Sequence, residues 1–230
     1  MKCLILAGGF GTRLYPLTID KAKALLEYKD KPLLTHIVDR VPHNVDIFVS
    51  CNRKFEAAFH QWQEKLGRQV EIWVEDVWDV EQKKGAIGSL HYWISNKNIA
   101  EDLLVLAGDD YFELDLDQFI AAYNGRNALV AVYDIGDKGK ASRFGVVKLD
   151  GNRLIELEEK PAKPKSSLVA TAIYVLPPSI FPLLSQYCAE GERDNLGNFI
   201  TYLIDRGEVH AYLFAEFWAD IGSIRAEDQM

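Results

Sequence analysis

The stretch Met1-Lys2-Cys3-Leu4-Ile5-Leu6-Ala7-Gly8-Gly9-Phe10-Gly11-Thr12-Arg13-Leu14-Tyr15-Pro16-Leu17-Thr18 decides how the chain is read. The apolar run from Cys3 to Ala7 predicts a buried strand, and it empties directly into Gly8, Gly9 and Gly11. Glycines leave backbone amides bare, so a polyphosphate can approach them with no side chain intervening. Arg13 follows with a planar fork of donors suited to phosphate oxygens. Two familiar phosphate loops do not match. Leu14 stands where a dinucleotide fingerprint requires glycine, and no Gly-Lys-Ser/Thr closes a Walker loop. The glycines alone fit either a third class of phosphate loop or a plain strand-to-helix turn.

Outward from this loop, apolar runs of strand length alternate with segments of helical spacing. Strands are expected near Lys2–Ala7, Val45–Cys51, Gln69–Glu75, Leu103–Ala107 and Ala128–Asp134. Helices are expected over Leu33–Val41, Lys54–Leu66, Gly85–Asn96 and Leu116–Tyr123. This alternation predicts an α/β fold with a mainly parallel sheet flanked by helices on both faces. After Asp134 the pattern changes. Phe144–Leu149, the turn Asp150-Gly151-Asn152 and Leu154–Glu158 read as an antiparallel hairpin. A strand Leu168–Leu176, helices Ser179–Cys188 and Leu196–Asp205, a strand Glu208–Phe214 and a last helix from Gly222 complete the expectation. Without a Pro-, Gly- or Ser-rich linker, residues 1–230 are expected to form one domain with lobes at 1–134 and 135–230.

Composition excludes several functions. The 230 residues carry 26 Lys and Arg against 34 Asp and Glu, a formal net charge of −8, so general nucleic-acid binding is not expected. No stretch approaches the roughly 20 apolar residues of a membrane span. Cys3, Cys51 and Cys188 are far apart and odd in number, which indicates neither a disulfide framework nor a zinc site and makes the cytoplasm the expected location.

Leu6 to Thr18, followed by Lys23 and Lys31-Pro32-Leu33-Leu34, resembles the signature of the sugar-1-phosphate nucleotidyltransferases. That family includes glucose-1-phosphate thymidylyl- and uridylyltransferases and mannose-1-phosphate guanylyltransferase. Further landmarks recur in order across the chain: Gly85, Gly108-Asp109, Phe144-Gly145, Glu159-Lys160-Pro161, Thr171 and Trp218 to Gly222. The resemblance implies a Rossmann-like fold with a smaller antiparallel sugar-binding lobe. It also implies attack of a sugar-1-phosphate oxygen on the α-phosphorus of a nucleoside triphosphate, with pyrophosphate expelled. Such a transfer needs charge neutralised and groups aligned more than covalent help.

By this resemblance Leu6, Ala7, Gly8, Gly9, Gly11, Thr12 and Gly85 bind the nucleotide, Arg13 holds the departing pyrophosphate, and Lys23 contacts phosphate oxygens. Asp109, at the carboxyl end of an apolar strand, and Asp220, in Trp218-Ala219-Asp220-Ile221-Gly222, are the implied ligands of Mg²⁺. Left without a cation, two converging carboxylates would repel each other. The neighbouring Asp110 reads as a capping or loop aspartate. Glu159 and Lys160 would take the sugar hydroxyls and sugar phosphate, with Gly145 and Thr171 completing that pocket, although either is also an ordinary strand residue. The modal substrates are glucose-1-phosphate with dTTP or UTP. Mannose- or heptose-1-phosphate with GTP, and phosphocholine with CTP, are the alternatives. Any homo-oligomer is expected to use the domain's own surface.

The sequence departs from the family where base and sugar are chosen. Ala24 replaces Pro or Gln, Glu27 replaces Pro, Gly85-Ala86-Ile87-Gly88 stands for Gly-Thr-Ala, and Ala172 stands for a Gly beside the sugar. Gln82 reads equally as a base contact or a solvent-facing residue. Of the five tryptophans, only Trp78 lies in a polar loop, the others having core-like settings. Two other classes remain in view. A glycosyltransferase would use Asp115-Leu116-Asp117 as Asp-x-Asp, but that triplet opens an expected helix, where acidic residues suit the dipole. A non-catalytic sensing paralogue would account for the departures, against which Arg13, Lys23, Asp109, Lys160 and Asp220 are all intact.

Overall fold

The computed structural model describes residues 1–191 and 194–221. In chain order its strands are β1 (Lys2–Leu6), β2 (Glu27–Tyr28), β3 (Lys31–Pro32), β4 (Asp46–Asn52), β5 (Glu71–Glu75), β6 (Leu103–Ala107) and β7 (Asp110–Phe112). These are followed by β8 (Ala128–Asp134), β9 (Gly145–Asp150), β10 (Arg153–Glu159), β11 (Leu168–Leu176), β12 (Val209–Phe214) and β13 (Trp218–Asp220). The helices are α1 (Leu33–Arg40), α2 (Glu56–Gln63), α3 (Gly85–Asn96), α4 (Leu116–Ala121), α5 (Lys138–Ala141), α6 (Phe181–Ala189) and α7 (Leu196–Ile204). The chain divides into two compact units. The first comprises Met1–Lys83, Leu106–Leu116 and the segment from Phe217; the second comprises Lys84–Val105 and Asp117–Glu216.

In the first unit β5, β4 and β1 run parallel, with Leu6 opposite Ser50 and Asn52 opposite Glu75. Cys3, Leu4 and Ile5 are wholly buried, so both faces of β1 are covered and its continuous apolar run is what such a strand requires. Helix α1 buries Leu33, Leu34, Ile37 and Val38, the stripe set by three- and four-residue spacing. Two small sheets complete this unit, the hairpin β2–β3 and the antiparallel pair β7–β13.

The second unit has the strand order β11-β8-β12-β10-β9, with the start of β6 beside β11. Here β11 is antiparallel to β8, β12 is parallel to β8, and β9 and β10 form the expected hairpin, turning at Gly151 with φ 59. The observed fold is the mixed α/β architecture the sequence predicts. Differences are local. A 3-10 turn at Arg53–Phe55 replaces the first turn of the helix expected from Lys54. The β7–β13 pair was not expected, because three-residue strands carry too little period to be read. The helix expected from Gly222 lies outside the described residues.

Candidate active site

The glycine loop is shaped by its neighbours in the first unit. The ladder to β4 continues one residue past β1, where Ala7 N donates to Ser50 O at 3.0 Å. Gly8 O then accepts from Asn52 Nδ2 at 3.1 Å. Gly9 is exposed, and a Cβ there would meet nothing within 4 Å. Gly11 is different. Its φ of 62 lies in the left-handed region, and a Cβ would come 3.0 Å from Thr18 Cγ2 and 3.2 Å from Lys23 Cβ. Only glycine meets both demands, so Gly11 lets the loop close onto the segment that carries Lys23. Thr18 is fully buried and its hydroxyl donates to Gly11 O at 2.7 Å, a second clasp on the same turn. Arg13 lies exposed in the 3-10 turn Thr12–Leu14 that follows.

A second glycine places the first carboxylate. Gly108 N donates to Leu6 O at 2.9 Å, and a Cβ at Gly108 would lie 2.9 Å from both Leu6 O and Ala7 Cβ. Backbone therefore touches backbone, which sets Asp109 beside the end of β1. Asp220 arrives on β13, whose pairing with β7 puts Trp218 opposite Phe112 and Asp220 opposite Asp110. Glu113 N donates to Phe217 O at 2.8 Å and Ile221 N to Asp109 O at 3.2 Å, so the strand is tied at both ends.

The two carboxylates meet at one ammonium. Lys23 Nζ is 2.5 Å from Asp109 Oδ2 and 3.4 Å from Asp220 Oδ1. Lys23 is only 8% exposed, unusual for lysine and tolerable because it is paired. Burial is the largest single influence on this ammonium and pulls its pKa down. The charges of Asp109 and Asp220, the hydrogen bond to Asp109 and the charge of Asp110 together outweigh it, and the net shift is upward.

Asp110 corrects the sequence reading. It is neither a cap nor a loop residue but a buried strand residue, whose Oδ2 accepts from Trp218 Nε1 at 3.0 Å. Burial first, then the charges of Asp109 and Asp220, push its carboxyl well above the usual range, against the opposing pull of Trp218 and Lys23. Strand alternation does not reveal this role, because three consecutive residues of β7 are buried. Asn52 was also missed; nothing in an Asn at the end of an apolar strand distinguishes it from a turn residue.

In the second unit Gly145 lies opposite Glu159 in the β9–β10 register, and Lys160 N donates to Phe144 O at 3.0 Å. A Cβ at Gly145 would come 2.9 Å from Glu159 Oε2, and one at Gly197 would overlap the same oxygen, so two glycines make room for this carboxylate. Lys160 has φ 48, a strained conformation for a residue with a Cβ, and its Nζ is 3.8 Å from Glu159 Oε1. Thr171 is buried, and its hydroxyl donates to Ala131 O at 3.0 Å. Ala172 has φ 54 in an irregular part of β11, which explains why glycine suits that position. Gly85, with φ 76, opens α3.

Trp62, Trp73, Trp93 and Trp218 are buried as expected, whereas Trp78 is 59% exposed. Gln82 accepts from Trp78 N at 2.8 Å, and Asp117 lies in the first turn of α4. No described helix is long and apolar enough to cross a membrane.

A family model described as nucleotidyl transferase matches residues 2–227. A Sulfolobus acidocaldarius protein named "Putative mannose-1-phosphate guanyltransferase" is 31% identical over 96% of this chain and 60% of its own length. A "Bifunctional protein GlmU" of Methanococcus maripaludis is 32% identical over 96% of this chain and 51% of its own. The chain thus spans about half to three fifths of the length of these relatives. Among solved structures, a "Putative Glucose-1-Phosphate Thymidylyltransferase" from Bacillus anthracis in complex with sucrose superposes with a TM-score of 0.82. The match is 26% identical and covers 96% of this chain and 90% of that one. A UDP-glucose pyrophosphorylase complexed with UDP-glucose shares the fold, with a TM-score of 0.77 at 21% identity over 96% of this chain and 93% of that one. With the glycine loop, its lysine and both carboxylates in place, the chain belongs to the nucleotidyl transferase family, among the sugar-1-phosphate nucleotidyltransferases.

Proposed function

We propose that this chain joins a nucleoside triphosphate to a sugar-1-phosphate, releasing pyrophosphate and an NDP-sugar. The observation that carries this reading is the meeting of Asp109 and Asp220 at Lys23 Nζ, beside the glycine loop. Glucose-1-phosphate with dTTP or UTP is the first substrate pair, in line with the 26% identical structural neighbour. Mannose-1-phosphate with GTP is the second, favoured by the 31% identical archaeal relative.

The donor set suits Mg²⁺. Among the described residues no three or more His, Cys, Asp or Glu side chains are grouped to hold a metal, but Mg²⁺ in phosphate chemistry commonly uses only one or two carboxylates and takes its other ligands from water and phosphate. Asp109 and Asp220 would hold it, and when bound it would neutralise phosphate charge. The chain's own groups do the rest. Backbone amides of the glycine loop and the Arg13 guanidinium hold the β- and γ-phosphates that leave. Lys23, released from its carboxylates, follows charge onto the phosphate oxygens. Glu159 and Lys160 would take the acceptor's hydroxyls and phosphate, the charge-neutralising and aligning work that such a transfer needs.

The test is pyrophosphate release across a matrix of dTTP, UTP, GTP and CTP against glucose-, mannose- and heptose-1-phosphate and phosphocholine. Release of pyrophosphate with one pair is expected. Free nucleoside diphosphate from a nucleotide sugar would instead assign a glycosyltransferase, and nucleotide binding without product under any pair would assign a sensing role.

A further inference from the structure

We infer that Asn52 is the positioning residue of the phosphate loop, acting through Gly8 to aim the Gly9 amide at the polyphosphate. The inference rests on the reaction proposed above. Asn52 ends β4 and is 2% exposed, and both ends of its amide are committed. Phe55 N, which can only donate, points to Oδ1 at 3.3 Å. That fixes the orientation of the amide, so Nδ2 must face Gly8 O, which it does at 3.1 Å.

The consequence follows from the planarity of the peptide. The Gly8–Gly9 bond is trans, so its N–H points opposite to its carbonyl. With Gly8 O drawn toward Asn52, the Gly9 N–H is turned away from that side chain, and Gly9 itself is exposed, with nothing within 4 Å of a Cβ placed there to obstruct a ligand's approach. The loop is anchored again at Phe10, which is buried and packs against Phe55 with ring centroids 6.1 Å apart. Asn52 caps the turn that carries Phe55, so one side chain sets both anchors. An amide aimed before the ligand arrives costs no reorientation when an anion binds.

Two variants separate positioning from folding. Asn52→Asp keeps the shape and the acceptor for Phe55 N but loses the donor to Gly8 O. Asn52→Ala removes both bonds without adding charge. Pyrophosphate, common to every substrate pair considered, is the probe, titrated by calorimetry and followed at the Gly9 amide resonance. For wild type, binding with a shifted Gly9 amide is expected. Each folded variant should bind pyrophosphate about tenfold more weakly, the free-energy equivalent of one hydrogen bond. The Gly9 shift should be lost and the KM for the triphosphate raised, with the KM for the sugar phosphate unchanged. A folded Asn52→Ala that binds pyrophosphate as wild type does, or Asn52→Asp with an unaltered Gly9 shift, would overturn the inference. Wild type that binds neither pyrophosphate nor any triphosphate would instead remove the proposed reaction on which it rests.

Discussion

Lys23 Nζ sits 3.4 Å from Asp220 Oδ1, although the two residues are 197 positions apart in the chain. Lys23 is held by the glycine turn and Asp220 by the β7–β13 pair. Their meeting, with Asp109 as the third partner, converts a loop and two short strands into one charged centre.

Replacing Lys23 by Met keeps the length of the side chain and removes its charge, leaving Asp109 and Asp220 facing each other uncompensated. Breaking a buried pair costs about 3–5 kcal/mol, and the partial exposure of Asp109 reduces this to about 1–3 kcal/mol here. Urea unfolding of Lys23→Met should show that loss, with part of it recovered on adding Mg²⁺. Turnover should fall by about 10²-fold or more, the scale of removing one transition-state donor. Unchanged stability would show that the pair contributes nothing in solution.

Gly108→Ala should be more damaging than an ordinary surface substitution. The new Cβ would be driven against Leu6 O and Ala7 Cβ at 2.9 Å, and backbone on both sides leaves little freedom to yield. Overpacking of this kind costs about 1–3 kcal/mol, and Asp109 would shift with it. Thermal melting and steady-state kinetics should both change.

Ala172→Gly should raise stability. Relief of a left-handed residue is worth about 1–2 kcal/mol, offset by about 0.4–1 kcal/mol for the extra freedom glycine gives the unfolded chain. The net gain of about 0.5 kcal/mol should appear as a melting temperature raised by one or two degrees, about half the ~2–4 °C that 1 kcal/mol brings at this size.

The thiols offer a separate check. All three cysteines are buried, and burial pushes the Cys51 thiol up to about 12 and raises Cys3 further. A thiol reagent at pH 8 should find no fast-reacting cysteine in the folded protein and three after denaturation. Because Cys3 and Cys51 ionise near their ordinary value when unfolded but resist ionising when folded, their contribution to stability is intact below about pH 8.5 and declines as pH rises toward the folded values. A rapidly labelled thiol in the native protein would contradict this burial.

Much of this was legible in the sequence, for identifiable reasons. The strand before Gly8, the amphipathic α1 and the β9–β10 hairpin follow from local periodicity and turn chemistry, which survive folding unchanged. Asp109 and Asp220 were legible only through the family signature, since nothing local tells that two aspartates so far apart will meet. Asp110 and Asn52 were not legible. What distinguishes them is a tertiary partner, Trp218 Nε1 for one and Gly8 O for the other, and no spacing along the chain records a partner. Ala172 shows the converse. The sequence marks it as a departure from glycine, and the backbone angle supplies the physical reason.

The most direct measurement is the divalent-cation dependence of pyrophosphate release in wild type, Asp109→Asn and Asp220→Asn, paired with Mn²⁺ binding followed by electron paramagnetic resonance in the presence of the triphosphate. If both carboxylates hold one cation, wild type turns over only with the metal, and each variant loses both turnover and Mn²⁺ uptake. Variants that retain wild-type turnover and wild-type Mn²⁺ binding would contradict a shared cation site at Asp109 and Asp220.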